Sequence, residues 1–127
     1  MKTKGQIEAD ISEAVIKFER EYMGRGPEEA RSYLLGDMIL VRLRGVLTPA
    51  EKQLAESSDY TEGGRLIKQI RMQLLEKARS LLETIVYDVT GRRVTSLHTD
   101  ISTKTGERII VWTLDGTVQC RTGETSS

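Results

Sequence analysis

The chain has 127 residues, of which 38% are hydrophobic and 30% charged, and its 19 basic and 19 acidic side chains give a formal net charge of zero. This length and composition fit one globular domain that buries its own core. The balanced charge lacks the basic excess of nucleic-acid-binding proteins, so we expect no nucleic-acid partner. We predict a single domain over residues 1–116 and a polar, disordered C-terminal tail over residues 117–127.

The N-terminus and the single cysteine indicate in which cellular compartment the protein resides. The first residues lead into an amphipathic pattern rather than an apolar signal core, and nowhere do about 18 uncharged apolar residues run together. Cys120 has no second cysteine for an internal disulfide, which suits a reducing compartment. We therefore expect a cytoplasmic protein that does not insert into the membrane and associates with it only through a partner.

Apolar residues recur at every third or fourth position near the N-terminus, which predicts a helix over about residues 5–23 with one buried face. The residues of this face are Ile7, Ile11, Ala14, Val15, Phe18 and Tyr22. Thr3 and Gln6 have the spacing of a capping box, and Gly24 fits a left-handed C-cap. Both ends of this helix are therefore marked in the sequence.

Two segments have the pattern of β-hairpins. The first places apolar runs at 30–35 and 38–43 around a Gly-Asp pair that suits a tight turn. The second spans about residues 93–114 with a turn at 103–106. Its last strand is apolar on both faces, which predicts a central strand or one covered at an interface.

Two helices are predicted between the hairpins. Thr48, Pro49 and Glu51 form a strong helix start, which predicts a short helix that ends near Ala55. A long helix follows over about residues 62–90 and ends at Gly91. The predicted order is α-β-β-α-α-β-β, an α+β two-layer sandwich in which the helices cover one face of an antiparallel four-stranded sheet.

The apolar residues of the long helix spread over an arc of roughly 200°, about twice the width of the stripe on the first helix. Such an arc needs burial on two sides, and a helix about 40 Å long would overhang a small sheet. We therefore favour a homodimer, and the alternative is a monomer in which both helices pack side by side on the sheet. The candidate interface residues are Leu74, Leu75, Leu81, Leu82 and Trp112.

His98 and Asp100 lie two residues apart on a predicted strand, hence on one face and about 7 Å apart. They are candidates for proton transfer or anion binding, and a structural or solvent-facing histidine is the alternative. Because one histidine with no cysteine nearby does not complete a zinc site, we expect no metal. We also expect no cofactor.

Two arginines are further candidates for anion binding. Arg25 lies in a Gly-Arg-Gly-Pro segment at 24–27 that resembles a backbone nest, although a helix C-cap followed by a turn explains the same residues. Arg44 lies on the polar face of a predicted strand, where a solvated face is the alternative. No complete catalytic constellation is present, so we expect no enzyme, and a hydrolase or transferase would need a substrate pocket that these pairs do not establish.

Four motifs of the chain are characteristic. They are Phe-Glu-Arg-Glu-Tyr-Met-Gly-Arg-Gly-Pro at 18–27, Gly-Val-Leu-Thr-Pro-Ala-Glu-Lys at 45–52, Leu-His-Thr-Asp-Ile-Ser at 97–102 and Thr-Gly-Glu at 105–107. At these motifs the chain resembles the MpsC-like or YbcI-like bacterial family. With the helix between them, the resemblance covers roughly residues 5–115. It implies an association with a sodium-translocating, membrane-potential-generating or inorganic-carbon uptake system that includes a large membrane protein.

The family offers no established catalytic residues to carry over. We therefore expect a non-enzymatic accessory or interaction protein, homodimeric and with a membrane-protein partner. The alternative is a small anion- or metabolite-binding regulatory module built on Arg25, Arg44, His98 and Asp100.

Overall fold

The computed structural model describes residues 1–56 and 60–121, without the side chains of residues 60 and 61. The elements are α1 (Lys4–Tyr22), β1 (Glu29–Leu35), β2 (Met38–Arg44), α2 (Pro49–Ala55), α3 (Tyr60–Thr90), β3 (Val94–Ser102) and β4 (Glu107–Leu114). The predicted α+β class and element order are confirmed.

The four strands form one antiparallel sheet in the order β1-β2-β4-β3. Gly36, at φ +65°, makes the tight turn of the first hairpin, where a residue with a side chain would be strained. β2 and β4 are the central strands, so the apolar character of β4 on both faces reflects its central position. This agrees with the expectation that β4 is central or covered.

The helices and the sheet form two layers. α1 contacts β1 and α3, and α3 contacts β3, so both helices lie side by side on one face, which we call the inner face. Its buried apolar side chains are Leu34, Ile39, Val41, Leu43, Leu97, Ile101, Ile110, Trp112 and Leu114. Every second residue of each strand therefore packs under the helices, as the alternation in the sequence predicted.

The short helix α2 packs on the N-terminal part of α3. Gly63 of α3 lies so close to α2 that an added Cβ would stand 2.1 Å from the Leu54 carbonyl oxygen. Both α1 and α2 therefore contact α3. Two helices of the same chain therefore cover part of the wide apolar arc from which we predicted a second subunit, while Leu66, Ile70 and Leu81 of this arc stay 39%, 54% and 50% exposed.

The chain stays packed beyond the predicted domain boundary at residue 116. Val118 is buried and its amide donates to the Gly36 carbonyl, while the Arg121 amide donates to the Lys2 carbonyl. Val118 belongs to the core cluster and the partly buried Cys120 packs against it, so two side chains hold this otherwise polar segment on the protein. Residues 117–121 of the predicted tail therefore pack on the hairpin turn and the N-terminus, and residues 122–127 lie outside the described part.

Candidate functional site

The face of the sheet opposite the helices, which we call the outer face, is open to solvent. Its central side chains come in two cross-strand rows: Tyr33, Leu40, Val111 and His98, and then Arg31, Arg42, Ile109 and Asp100. Tyr33 is 39% exposed and Leu35 38%, although both are large and apolar. The outer face thus combines a half-buried apolar centre with charged residues toward one end.

His98 and Asp100 share the outer face of the edge strand β3, as predicted, and both are exposed. The His98 Nε2 atom lies 3.3 Å from the Ser96 hydroxyl. The Asp100 carboxylate accepts from the Ile101 amide at 2.8 Å and lies 3.5 Å from the Lys68 ammonium. Within residues 1–56 and 60–121, no group of three metal-binding side chains lies together.

Arg25 and Arg44, the two arginines predicted to bind an anion, lie away from His98 and Asp100. Arg25 donates to the Gly45 carbonyl at 3.3 Å and to Glu28 at 3.2 Å, so it holds the loop after α1 against the end of β2. Arg44 is on the outer face of β2, 3.9 Å from Glu29 and two strands away from His98. No hydrogen bond or ion pair between described residues joins any two of the four candidates, so they do not form one site.

A wide cleft of about 1000 Å³ lies between α2, the β3–β4 turn and the end of β2. Its wall includes Arg44, together with Arg42, Lys52 and Lys104. Three carboxylates, those of Glu28, Glu56 and Glu107, line the same cleft. Because the opposite charges nearly cancel, this cleft offers little attraction for an anion.

The predicted interface residues are mostly inside the protein. Leu82 and Trp112 are completely buried and Leu75 is 8% exposed, so they pack in the chain's own core and leave almost no surface for a second subunit. Leu81 is 50% exposed and Leu74 is half-buried. α1 and α2 cover only part of the apolar arc of α3, since Leu66 and Ile70 are also 39% and 54% exposed.

The main polar feature that the sequence analysis missed is a buried charge cluster of Glu19, Glu51, Arg71 and Arg108. The Arg108 guanidinium donates to the completely buried Glu19 at 2.7 Å, and it also donates to the Thr99 hydroxyl at 3.2 Å. Arg71 binds Glu51 through two nitrogens, at 2.9 and 2.8 Å, and donates to the Val46 carbonyl at 3.0 Å. The cluster therefore connects α1, α2, α3 and β4.

The cluster shifts the ionisation of its members in opposite directions. Burial raises the pKa of Glu19, and the charges of Arg108 and Arg71 oppose this rise. Burial would also raise the pKa of Glu51, but hydrogen bonds from Arg71 and from Thr48 outweigh it, so this pKa is lowered. Burial lowers the pKa of Arg108, which Glu19 counteracts and Arg71 reinforces. Each shift follows from removing charged groups from water and pairing them with one another.

The positions of the cluster residues carried a signal in the sequence. Glu19 continues the series of every fourth residue that begins with Ile7, Ile11 and Val15, and Arg71 lies between Ile67 and Leu75 in a similar series. Charged side chains at core-facing positions are expected to have partners, because an unpaired buried charge is costly. Glu51 was recognised only as a cap, and it does accept from the Thr48 amide at 2.9 Å.

Comparison with known proteins places this fold in a family. The family described as "Na+-translocating membrane potential-generating system (MpsC)" matches residues 3–116. The chain belongs to the MpsC family. It is 43% identical over 113 residues to "Uncharacterized protein YbcI" of Bacillus subtilis (strain 168), which covers 89% of each chain. No solved structure matches the MpsC-family chain.

The family name refers to a system that generates a membrane potential. Among the described residues of this MpsC-family protein, no helix is long and apolar enough to cross a membrane.

Proposed function

We propose that the protein is a non-catalytic accessory component of a sodium-translocating, membrane potential-generating system. The family name supports the association with such a system. The observation that carries an interaction role is the outer face, where Tyr33 and Leu35 remain more than a third exposed on a sheet that helices cover only on the other side. Exposed apolar area framed by polar residues is typical of protein interaction surfaces.

We propose further that the outer face binds a second copy of the chain. A two-fold axis parallel to the strands, between β2 and β4, would lay β1 of one copy over β3 of the other. The observed register then sets Arg31 over Asp100 of the second copy, and Tyr33 over its His98. Within one chain Arg31 pairs with Glu29 at 3.2 Å and Asp100 with Lys68 at 3.5 Å, but Arg31 is 68% exposed and Asp100 80%, so a second copy can reach both charges. This complementarity of the face with itself favours a homodimer over another occupant.

The size of the outer face sets the strength of this contact. Four strands about 4.8 Å apart, each with about seven residues at about 3.3 Å, make a face of roughly 19 by 23 Å. Two such faces bury on the order of 900 Å², which is below the usual range of stable interfaces. We therefore expect a weak dimer whose population rises with protein concentration.

The dimer is tested by sedimentation and light scattering over a wide concentration range. The mass of the wild-type protein should rise from the 14.3 kDa of one chain toward twice that value. Arg31→Glu and Asp100→Lys should each shift this rise to higher concentration, and the combined variant should restore it. Lys77→Glu, on the exposed side of α3, is the matched charge reversal and should have no effect. A wild-type mass that stays at one chain, or a combined variant as weak as the single ones, would contradict this interface.

The accessory role is tested separately by purifying the tagged protein from gently solubilised host membranes. A membrane transport protein should co-purify in stoichiometric amount, and mass spectrometry identifies it. The Arg31→Glu variant shows whether that association needs the dimer. Recovery of the folded protein alone, from membranes in which the transport system is intact, would overturn the accessory role whatever the oligomeric state.

A further inference from the structure

Four apolar residues of α3 form a stripe that stays open to solvent, which we call the helix stripe. They are Leu66, Ile70, Leu74 and Leu81. At 100° per residue they fall within an arc of about 80° on the helix surface. Three of them are more than a third exposed, and Leu74 is half-buried. At 1.5 Å per residue the stripe is about 22 Å long, a length that suits a second helix lying along it.

The short helix α2 lengthens the helix stripe. Leu54 is 37% exposed, and a Cβ added to Gly63 would stand 3.3 Å from its Cγ atom. Gly63 precedes Leu66 by three residues and falls within the same arc. Exposed apolar side chains from two helices therefore lie along one line, whereas most exposed apolar residues of a protein surface are scattered singly.

One charged residue, Lys77, lies inside this arc between residues 66 and 81. On the same helix, Arg65 and Arg79 each pair with a glutamate at 3.3 Å. Lys77 is exposed, and no carboxylate of the described residues lies within ion-pair distance of it. A partner that covers the helix stripe would bury this ammonium group, which is costly unless the partner supplies an acidic group.

Lys77 also argues against a second copy of the chain on the helix stripe. Two parallel copies of α3 would set Lys77 against Lys77, and these charges repel. The antiparallel register that lays Leu66 of one copy over Leu81 of the other would bury Lys77 against Ile70, with no opposite charge. In coiled coils, a lone lysine in an apolar seam specifies the register and the partner. The helix stripe therefore favours a different chain that carries an acidic residue.

We propose that the helix stripe binds an amphipathic helix of the membrane transport protein, whose own apolar stripe carries one acidic residue opposite Lys77. Apolar anchors at every third or fourth residue are the usual way in which one helix docks on another protein. This inference rests on the accessory role proposed above and names the surface that performs it. The outer face stays free for the dimer, because it lies on the side of the sheet away from the helices.

The test replaces Ile70 by the photo-crosslinking amino acid p-benzoylphenylalanine in the full chain, expressed in its host. Irradiation of the membranes should attach the protein to the transport protein, at a segment with apolar residues around one aspartate or glutamate. Met72 is 64% exposed but lies outside the arc, so the same replacement at Met72 is the control and should give no such product. Attachment of position 70 to a second copy, to lipid or to a segment without an acidic residue would overturn the proposal.

A charge exchange tests the role of Lys77. Lys77→Glu should lower the amount of transport protein that co-purifies about tenfold or more, because two acidic groups would then face each other. Arg65→Glu, which lies outside the arc, is the matched control and should change little. Replacing the acidic residue of the partner, once mapped, by lysine should restore the binding of Lys77→Glu, and a failure to restore it would contradict the pairing.

The same experiments separate this inference from the accessory role. If the wild type and Lys77→Glu recover the transport protein equally, or if position 70 gives no crosslink while the wild type recovers it, the accessory role stands and the helix stripe is wrong. If the wild type recovers no transport protein, both are wrong.

Discussion

Replacing Glu19 by glutamine should destabilise the protein strongly, although the two side chains have nearly the same shape. The substitution removes the partner of Arg108, which is 4% exposed and held at 2.7 Å. It also removes a charge 3.9 Å from Arg71. Both guanidinium groups would then share one remaining carboxylate, Glu51, in a site with little access to water.

The expected loss of stability follows from the burial of the ion pair between Glu19 and Arg108. Breaking a buried ion pair by removing one partner costs about 3–5 kcal/mol, because the other charge stays buried and uncompensated. For a domain of this length, the entropy of unfolding converts such a loss to a fall in melting temperature of about 10–20 °C. This is a large part of the roughly 5–15 kcal/mol that stabilises a typical domain.

Urea unfolding at neutral pH, followed by circular dichroism, measures the effect. Glu13→Gln, an exposed position on the same helix, is the control and should stay within about 0.5 kcal/mol of the wild type. The double variant Glu19→Met and Arg108→Met should recover most of the stability lost by Glu19→Gln, since neither charge is then buried alone. The reasoning from burial would be refuted if Glu19→Gln lowered the free energy of unfolding by less than about 1 kcal/mol. It would also be refuted if the double methionine variant were less stable than Glu19→Gln.

Two further predictions concern the ion pair between Glu51 and Arg71 and the contact between α2 and α3. On acidification, the wild type should lose more stability than Glu51→Gln. The pKa of Glu51 is lowered from its ordinary value of 4.5 in the folded protein, so the ionised carboxylate stabilises the fold at pH values above 4.5. This stabilisation is lost as the pH falls through the folded pKa. The raised pKa of Glu19 has the opposite sign and is common to both proteins, so equal urea midpoints at every pH would contradict the pairing of Glu51. Gly63→Ala should cost about 1–3 kcal/mol, because its Cβ would meet the Leu54 carbonyl at 2.1 Å. Gly5→Ala, with open space around it in α1, should be neutral or slightly stabilising, and equal melting temperatures for the two would contradict the close contact of α2 and α3.

The elements could be predicted because local patterns determine them. The capping boxes at Thr3 and Thr48 form as the sequence indicated, with reciprocal bonds to Gln6 and Glu51. Gly91, at φ +74°, follows the last residue of α3. These signals act within a few residues of the chain, so they do not depend on tertiary packing.

The buried charge cluster could not be assembled from such signals, because its members lie far apart in the sequence. Periodicity shows that Glu19, Arg71 and Arg108 face the core, yet it does not show which of them meet. The pairing depends on α1 lying beside α3 across β4, which is a property of the layers and not of any one segment. A charged residue in an apolar series therefore predicts a partner without identifying it.

The same limit explains why we propose the sheet, and not the long helix, as the surface for self-association. The wide apolar arc of α3 predicted burial on two sides, and α1 and α2 supply part of that burial within one chain. Apolar side chains stay exposed on α3, among them Ile70 and Met72, and also on the outer face, where no continuous apolar pattern marks Tyr33 and Leu35. An interaction face on a sheet is harder to recognise in the sequence than one on a helix, because only every second residue of each strand contributes to it. If the outer face forms the dimer, Leu81→Asp on α3 should leave the mass unchanged at every concentration, whereas Leu40→Asp at the centre of the sheet should keep the protein monomeric.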